Sequence, residues 1–216
     1  MMTLYGFWRS AATYRVRIAL NLKGIERDEA MVDLDEGVQH SADFRAVNPQ
    51  GVLPALIDGE GPPLFQSLAI LEYLEERFPS PPLLPADPRG RARVRGLAGI
   101  VAADSHPFIV PRVRAYLERE LGADEAARKA WILHWQGEGL RVIEAHLGDG
   151  AAGRYCHGDA VTIADACLAS LASGFAIFGG RLADFPRCAG VVERCMALDA
   201  FTQAHPLAQP GAPAAA

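Results

Sequence analysis

The sequence has no cysteine among its first 155 residues. The four it contains are Cys156, Cys167, Cys188 and Cys195, and no two of them form a C-x-x-C pair. Structural disulfides and a zinc site are therefore not expected. Cys188 and Cys195 lie seven residues apart in a helical pattern, which places them on one helix face and favours burial as small apolar side chains.

Long apolar runs and an excess of basic residues are also missing. No run approaches the roughly 20 apolar residues that span a bilayer, and MMTLYGFWRS lacks the basic region and cleavage site of a signal peptide, so we expect a cytoplasmic protein. With 21 Lys and Arg against 26 Asp and Glu, the net charge is −5, which argues against a nucleic-acid partner. The alternating arginines of PRGRARVRG are typical of a solvated helix start.

The remaining composition is that of a globular protein, and the first 78 residues alternate strand and helix patterns. In chain order we expect strands and helices at Met2 to Phe7, Ala12 to Lys23, Glu29 to Leu34, Ser41 to Val47, Ala55 to Ile57, Pro63 to Phe65 and Ser67 to Phe78. This β-α-β-α-β-β-α order predicts a mixed sheet with helices on its faces.

A proline-rich segment separates this part from a different pattern. PSPPLLPADP, residues 79–88, carries five prolines and is typical of a stiff linker. Residues 89–205 then show helical periodicity with almost no strand signal. In VTIADACL, Thr162 and Asp165 have the spacing of a capping box. We therefore expect an α/β domain over residues 1–82 and an all-helical domain over residues 89–216.

The junction after the first strand raises a chemical question. It reads WRSAATYRVRIALNLKG, residues 8–24. A helix start collects unpaired N–H groups and the positive end of the helix dipole, so it favours a thiolate or another anion. Because no cysteine lies there, any sulfur held at this point must come from outside the chain.

Several blocks along the chain together resemble the zeta class of cytosolic glutathione transferases, which includes maleylacetoacetate and maleylpyruvate isomerases. In order they are WRSAATYRVRIALNLKG, NPQGVLPAL, QSLAILEYLEE, LLPADP, GDAVTIADACL and HPLAQP. The resemblance implies a thioredoxin-like N-terminal domain that binds glutathione, a helical C-terminal domain that supplies the second substrate's site, and a homodimer.

The same resemblance implies that the sulfur is the thiol of glutathione, with Ser10 as its hydroxyl donor. Ser10 as a helix cap alone is the competing interpretation. Zeta proteins often carry Ser-Ser-Cys here, whereas this chain has Ala11 and Ala12 after Ser10. Thr13 is the remaining hydroxyl expected to compensate, so the candidate catalytic residues are Ser10, Thr13 and Arg9.

Further glutathione contacts follow from the resemblance position by position. Leu53-Pro54 matches a cis-proline whose preceding backbone pairs with the cysteinyl amide; an ordinary trans proline is the alternative. Gln66 and Ser67 match the site of the γ-glutamyl carboxylate, with a bare helix cap as the alternative. Gln39 or His40 is expected near the glycine end, where a solvated loop is equally compatible with the sequence.

The second substrate of the isomerases is a maleyl diacid, and arginine suits its carboxylates. Arg9 is the first candidate, with a surface ion pair as the alternative. His106 and Arg112 in DSHPFIVPRV resemble the corresponding stretch of the isomerases, although a buried His106 is equally compatible. The chain departs from the family at Ile177, where the isomerases carry an arginine, and Arg181 lies one turn later.

Three functions remain compatible with these residues. The first is glutathione-dependent cis–trans isomerisation of a maleyl diacid in the catabolism of aromatic compounds. The second is conjugation or dehalogenation of an apolar electrophile, favoured by Ile177 beside Phe175 and Phe178. The third, a transferase-like binding module without activity, is disfavoured by the retention of Ser10, Leu53-Pro54 and Gln66-Ser67.

Overall fold

A computed structural model describes residues 1–213. Its strands and helices, in chain order, are β1 Met2–Gly6, α1 Ala11–Leu22, β2 Arg27–Met31, α2 Ala42–Val47, β3 Ala55–Asp58, β4 Leu64–Phe65, α3 Ser67–Arg77, α4 Pro88–Ala102, α5 Pro111–Leu121, α6 Glu125–His146, α7 Ile163–Ile177, α8 Pro186–Met196 and α9 Asp199–Thr202. Short 3-10 helices lie at Val38–His40, His106–Phe108, Leu182–Asp184 and Pro206–Ala208.

The first compact unit is built on a mixed four-stranded sheet of order β2-β1-β3-β4. β1 runs parallel to β2 and antiparallel to β3, which in turn pairs antiparallel with β4. Helices α1 and α3 pack against each other, and every residue of α1 from Ala12 to Leu20 is buried. The predicted element order and the thioredoxin-like α/β class are confirmed.

The second strand is displaced from its predicted position. The sequence placed it at Glu29 to Leu34, but it occupies Arg27–Met31, because its register on β1 pairs Met2 with Arg27 and Gly6 with Met31. β2 is an edge strand, and Met31 is 63% exposed. An edge strand with a solvated face has weak hydrophobic alternation, so its register is set by pairing rather than by its own pattern.

The last described residues pack within this first unit, which comprises residues 1–83 together with residues 197–213. The Tyr14 hydroxyl donates to the Phe201 carbonyl at 3.3 Å, and the Asn21 amide donates to the Ala200 carbonyl at 3.0 Å. Phe201 is fully buried. Hydrogen bonds to α1 therefore hold these residues in the first unit, and the domain boundary at 89–216 stays a prediction.

The second unit, residues 84–196, consists of α4 to α8. Helix α7 packs against α4, α6 and α8, and its residues from Ile163 to Ala172 are all buried. The predicted capping box is confirmed: the buried Asp165 carboxylate accepts from the Thr162 N–H at 2.8 Å and from the Thr162 hydroxyl at 2.8 Å. α4 begins at Pro88, with the Asp87 side chain as its cap.

Among residues 1–213, no helix combines the length and the apolar character required to cross a bilayer.

Candidate functional site

The sheet topology of the first unit brings its candidate residues to one edge. Tyr5 pairs with Ala55 and Ala55 with Phe65, while Gly6 pairs with Met31. The segments that follow β1, β2 and β4 therefore emerge at the edge where β3 begins. These segments carry Arg9 and Ser10, Gln39 and His40, Leu53 and Pro54, and Gln66 and Ser67. All the glutathione candidates of the sequence thus share one end of the sheet.

Ser10 is half-buried and caps α1. Its Oγ accepts a hydrogen bond from the Thr13 N–H at 3.2 Å. A hydroxyl has two lone pairs and one proton, so the cap uses a lone pair and leaves the proton available to donate. Capping therefore does not prevent Ser10 from also holding an anion at the helix start. Its catalytic role stays a prediction.

Thr13 has a different environment. Its side chain is fully buried, and a Cβ placed on Gly6 would lie 2.6 Å from the Thr13 methyl carbon, so the threonine packs tightly under β1. Its Oγ1 has no hydrogen-bond partner among residues 1–213. This burial separates Thr13 from the half-buried Ser10, and the compensating role predicted for Thr13 has no contact in support.

The start of α3 combines an unusual backbone with a buried cation. Gln66 has a φ of 67°, a conformation that side chains other than glycine rarely adopt. Its Nε2 donates to Gln50 Oε1 at 2.9 Å rather than capping α3. Ser67, the first residue of α3, is buried, and its Oγ accepts from Arg15 Nη1 at 3.1 Å. Polar donors and a guanidinium therefore converge where an anion would meet the helix start.

Gln39 and His40 lie against the turn that precedes β3. Gly51 has a φ of 63°, and a Cβ there would lie 3.0 Å from the Gln39 carbonyl oxygen, so the close approach needs glycine. Gln39 Nε2 lies 3.2 Å from His40 Nε2. The other amide atom, Gln39 Oε1, is buried without a partner among residues 1–213. Gln39 is buried and His40 is exposed.

Leu53-Pro54 stands immediately before β3, and its peptide bond is cis. Pro54 is buried and Leu53 half-buried. The pairing of Ala55 with Phe65 places this dipeptide next to Gln66 and Ser67. The predicted peptide geometry is present, and the predicted contact of the Leu53 backbone with a ligand stays a prediction.

Arg9 forms the surface ion pair that the sequence left open as an alternative. Its Nη2 contacts Asp35 Oδ1, and its guanidinium lies 5.6 Å from the centroid of the Phe7 ring. Both side chains are partly solvated, at 36% and 52% exposed, so the pair contributes no more than about 1 kcal/mol.

The second unit holds the candidates for the second substrate. His106 is half-buried at the start of a 3-10 helix, and Arg112 is exposed in the first turn of α5. Ile177 is the last residue of α7 and is 48% exposed. Arg181 is 79% exposed and pairs with Asp184 at 2.7 Å.

Sequence reasoning missed Arg114. Its guanidinium carbon lies 5.7 Å from the ring centroid of Phe178, directly after Ile177, so α5 approaches the end of α7 through Arg114. Gln50 and Arg15 were also missed. Gln50 lies inside the block NPQGVLPAL, where its position beside a turn is a signal that the sequence contains. The burial of Arg15 in α1 has no such signal in the sequence.

The cysteines are unsuited to supply a thiolate. All four are buried in the second unit. Burial raises the pKa of the Cys188 and Cys195 thiols, and burial together with Asp165 raises that of Cys156. A thiol with a raised pKa stays protonated and unreactive at neutral pH. Sulfur chemistry at the sheet edge therefore requires an external thiol.

Several known proteins are similar to this chain in sequence and structure. The model of the glutathione S-transferase N-terminal domain matches residues 1–76. A maleylpyruvate isomerase from Ralstonia is 45% identical, covering 97% of this chain and 99% of that protein. A maleylacetoacetate isomerase from Pseudomonas aeruginosa is 44% identical over 216 residues, covering 99% of this chain and 100% of that protein.

Solved structures give the same result. A maleylacetoacetate isomerase from Methylobacterium extorquens with bound malonate and glutathione has a TM-score of 0.96 and 53% identity, covering 98% of this chain and 100% of that one. A maleylpyruvate isomerase described as a bacterial zeta-class glutathione S-transferase has a TM-score of 0.94 and 44% identity over 98% of this chain and 100% of that one. The chain belongs to the zeta class of the glutathione S-transferase family.

Proposed function

We propose that this chain is an enzyme that uses glutathione to isomerise a maleyl diacid, maleylacetoacetate or maleylpyruvate, from cis to trans. One observation carries the proposal. Ser10, Leu53-Pro54 and Gln66-Ser67 meet at one sheet edge, in a chain 40–45% identical over nearly its whole length to proteins named as these isomerases.

The residues at the sheet edge fit glutathione. The buried Gln39 Oε1 has no partner within the described chain, and an unpaired buried acceptor costs about 1–3 kcal/mol, which a peptide N–H of the ligand would offset. The start of α3, with Ser67 above Arg15, offers donors for a carboxylate. We assign the γ-glutamyl carboxylate to Gln66 and Ser67, the cysteinyl amide to the backbone of Leu53, and the glycine end to Gln39 and His40.

When bound, glutathione supplies a thiolate sulfur whose reversible addition to the cis double bond permits rotation, and it is released unchanged. The chain must favour that anion, because a free thiol with a pKa of about 8.5 is only a few per cent ionised at neutral pH. Ser10 donates its hydroxyl proton to the sulfur while accepting from the Thr13 N–H. The N-terminus of α1 adds its dipole.

Arginines hold the carboxylates of the substrate in this proposal. Arg9 follows directly after the strand that leads to Ser10 and exchanges Asp35 for a substrate carboxylate. His106 and Arg112 belong to the helical unit and are assigned to the second substrate by their likeness to the isomerases. At position 177 this chain has an exposed isoleucine where the isomerases carry a cationic arginine.

One assay tests the reaction and separates it from conjugation. Purified protein and glutathione are offered maleylpyruvate or maleylacetoacetate, and product and total free thiol are both followed. Isomerisation gives the fumaryl product with the glutathione concentration unchanged after many turnovers. Absence of fumaryl product, while calorimetry shows that glutathione binds, would contradict the isomerase proposal.

A specific observation favours a second function. Ile177 is 48% exposed and precedes Phe178, so the end of α7 presents an apolar surface suited to an uncharged electrophile. Conjugation of a chloronitrobenzene would then consume one glutathione per product. A higher kcat/KM for this acceptor than for either maleyl diacid would make conjugation the main activity.

We also propose that the protein is a cytoplasmic homodimer. The cytoplasm maintains the reduced glutathione that the reaction requires. Dimerisation follows from the resemblance to the zeta class and is supported by Phe65, which is 56% exposed on the edge strand β4. Light scattering coupled to size-exclusion chromatography gives the mass directly, and a monomer at assay concentration would contradict this assignment.

A further inference from the structure

We propose that Arg15 is a positioning residue for the glutathione site, acting through Ser67. The inference rests on the proposed function, because it concerns the γ-glutamyl carboxylate that we place at the start of α3. Arg15 does not contact the ligand in this proposal. It fixes the direction in which the Ser67 hydroxyl donates its proton.

The first step is the position of Arg15. It lies in the second turn of α1 and is only 1% exposed, among apolar residues that are themselves buried. Burying a guanidinium costs desolvation free energy unless its N–H groups are hydrogen-bonded and its charge is paired. Its Nη1 is directed at Ser67 Oγ, 3.1 Å away on the neighbouring helix α3.

The second step concerns the hydroxyl. Guanidinium N–H groups can only donate, so the Ser67 oxygen accepts from Arg15 and its proton must point elsewhere. Donation from a cation also polarises the O–H bond and strengthens its next hydrogen bond. Ser67 is thereby converted from a group that can either donate or accept into a directed donor, which suits a carboxylate.

The third step is the surrounding backbone. Gln66 has a φ of 67°, and its Nε2 donates to Gln50 Oε1 while its side chain does not cap α3. The first turn carries no acidic residue. The hydroxyl of Ser67 and the helix N–H groups therefore face the same point, and a carboxylate there interacts with both and with the positive field of Arg15.

Arg17 provides a matched control. It lies on the same helix and is 3% exposed. Its guanidinium pairs with Glu29 on strand β2, with 2.8 Å between Arg17 Nη2 and Glu29 Oε2. Arg27 also pairs with Glu29, at 3.0 Å, so replacement of Arg17 leaves that carboxylate a partner. Arg17→Met thus removes a buried arginine without touching Ser67.

The experiment compares two ligands by calorimetry. One is glutathione, and the other is its analogue without the γ-glutamyl α-carboxylate, 4-aminobutanoyl-cysteinyl-glycine. The wild-type protein should bind glutathione about ten- to a hundredfold more tightly, as expected for charge-assisted hydrogen bonds. In Arg15→Met the affinity for glutathione should exceed that for the analogue by no more than about threefold. Arg17→Met should keep the wild-type ratio of the two affinities.

Further variants separate positioning from a purely structural role. Ser67→Ala should lower the ratio like Arg15→Met, and the double variant should be no worse than either single one, because both act on one hydrogen bond. Arg15→Lys should restore part of the ratio. For Arg15→Met, KM for glutathione should rise while kcat at saturation changes less than about threefold.

Each outcome decides one question. A wild-type ratio in folded Arg15→Met, or additive effects of Arg15→Met and Ser67→Ala, would overturn the positioning role while leaving the isomerase proposal intact. If Arg15→Met does not fold, Ser67→Ala and Arg15→Lys carry the test, and wild-type ratios in both would overturn it. Failure of the wild-type protein to bind glutathione would instead remove the proposed function.

Discussion

We propose that Ser10 combines two roles that the sequence presented as alternatives. Its oxygen accepts the Thr13 N–H, which is the duty of a helix cap, and its proton remains available for a thiolate. The cap stabilises the folded protein, so its loss lowers the free energy of unfolding. The donated proton stabilises an anion, so its loss lowers turnover. A single substitution should therefore affect stability and turnover separately.

Replacing Ser10 with Ala should lower turnover about ten- to a thousandfold, since one donor to the sulfur is lost. The same change should cost about 1 kcal/mol of unfolding free energy through the lost cap. Steady-state kinetics and urea unfolding of the variant give the two numbers. Ser41→Ala, which removes the equivalent cap of α2, where Oγ accepts from the Phe44 N–H at 3.2 Å, is the control for stability alone. Unchanged turnover in Ser10→Ala would contradict the role of Ser10 and indicate that the backbone or Thr13 stabilises the thiolate.

Ile177 is open to substitution. Because its side chain is 48% exposed at the end of α7, an arginine there meets solvent and no packed core, and its charge complements the C-terminal end of the helix dipole. Ile177→Arg should raise kcat/KM for a maleyl diacid by about two- to fivefold relative to an uncharged acceptor, the range of an exposed ion pair. The measurement is the ratio of the two kcat/KM values.

Ala176→Arg is the matched control for this change, because Ala176 is the exposed neighbour in the same last turn. It adds the same charge in a different direction. An equal gain from both substitutions would indicate general electrostatic attraction. No gain from Ile177→Arg, with efficient turnover of a maleyl diacid by the wild-type protein, would show that Arg9, Arg112 or another cation already holds the carboxylate.

At the scale of elements, the starts of helices decide both stability and chemistry. Side-chain acceptors cap α1, α2, α4 and α6 at Ser10, Ser41, Asp87 and Asp124. Helix α7 begins with a buried version of the same device, in which Asp165 accepts from the Thr162 N–H and hydroxyl and from the Cys156 N–H. Because α7 packs against three other helices, its start anchors the helical unit.

Asp165→Ala should reduce the free energy of unfolding by about 3 kcal/mol or more, because it strands three buried donors at once. Asp124→Ala removes an exposed cap that accepts the Ala127 N–H and should cost about 1 kcal/mol. Urea denaturation of both variants tests the difference. Equal losses would mean that the buried network around Asp165 adds nothing beyond an ordinary cap.

At the scale of the whole molecule, the chain returns to the unit in which it began. Residues 197–213 pack with residues 1–83. His205 meets the Tyr14 ring edge-on, with centroids 5.7 Å apart, and its Nδ1 accepts from the Leu207 N–H at 3.3 Å. Contacts to α1, the helix that Ser10 caps, therefore depend on residues nearly 190 positions later.

This arrangement predicts a pH dependence of stability. Burial lowers the pKa of His205 below its ordinary value, so the folded state binds the proton less readily than the unfolded chain. His205 therefore contributes stability that is complete above about pH 6.5 and is lost as pH falls from there toward its lowered pKa. The wild-type protein should lose more unfolding free energy between about pH 7.5 and about pH 5 than His205→Asn, which keeps an acceptor without a titrating ring. Identical pH profiles for the two proteins would contradict the assignment.

The sequence alone determined the elements and their order. Hydrophobic period, the prolines of residues 79–88 and glycines such as Gly24 are local signals, and they gave the α/β part, the helical part and most of the helix starts. The capping box at Thr162 and Asp165 was readable because its partners lie three residues apart. The candidate residues for glutathione followed from short blocks whose geometry the strand pairing then brought together.

Only the tertiary structure decided what depends on distant partners. Pairing with β1 sets the register of β2, and residues 197–213 pack in the same unit as α1. Arg9 pairs with Asp35, which lies in a loop 26 positions away. Burial of Arg15 beneath Ser67 could not be read from YRVRIAL, because an arginine on a helix is as easily solvated as buried until the neighbouring helix is known. These features arise from contacts between separate elements, whose free energy no local pattern contains.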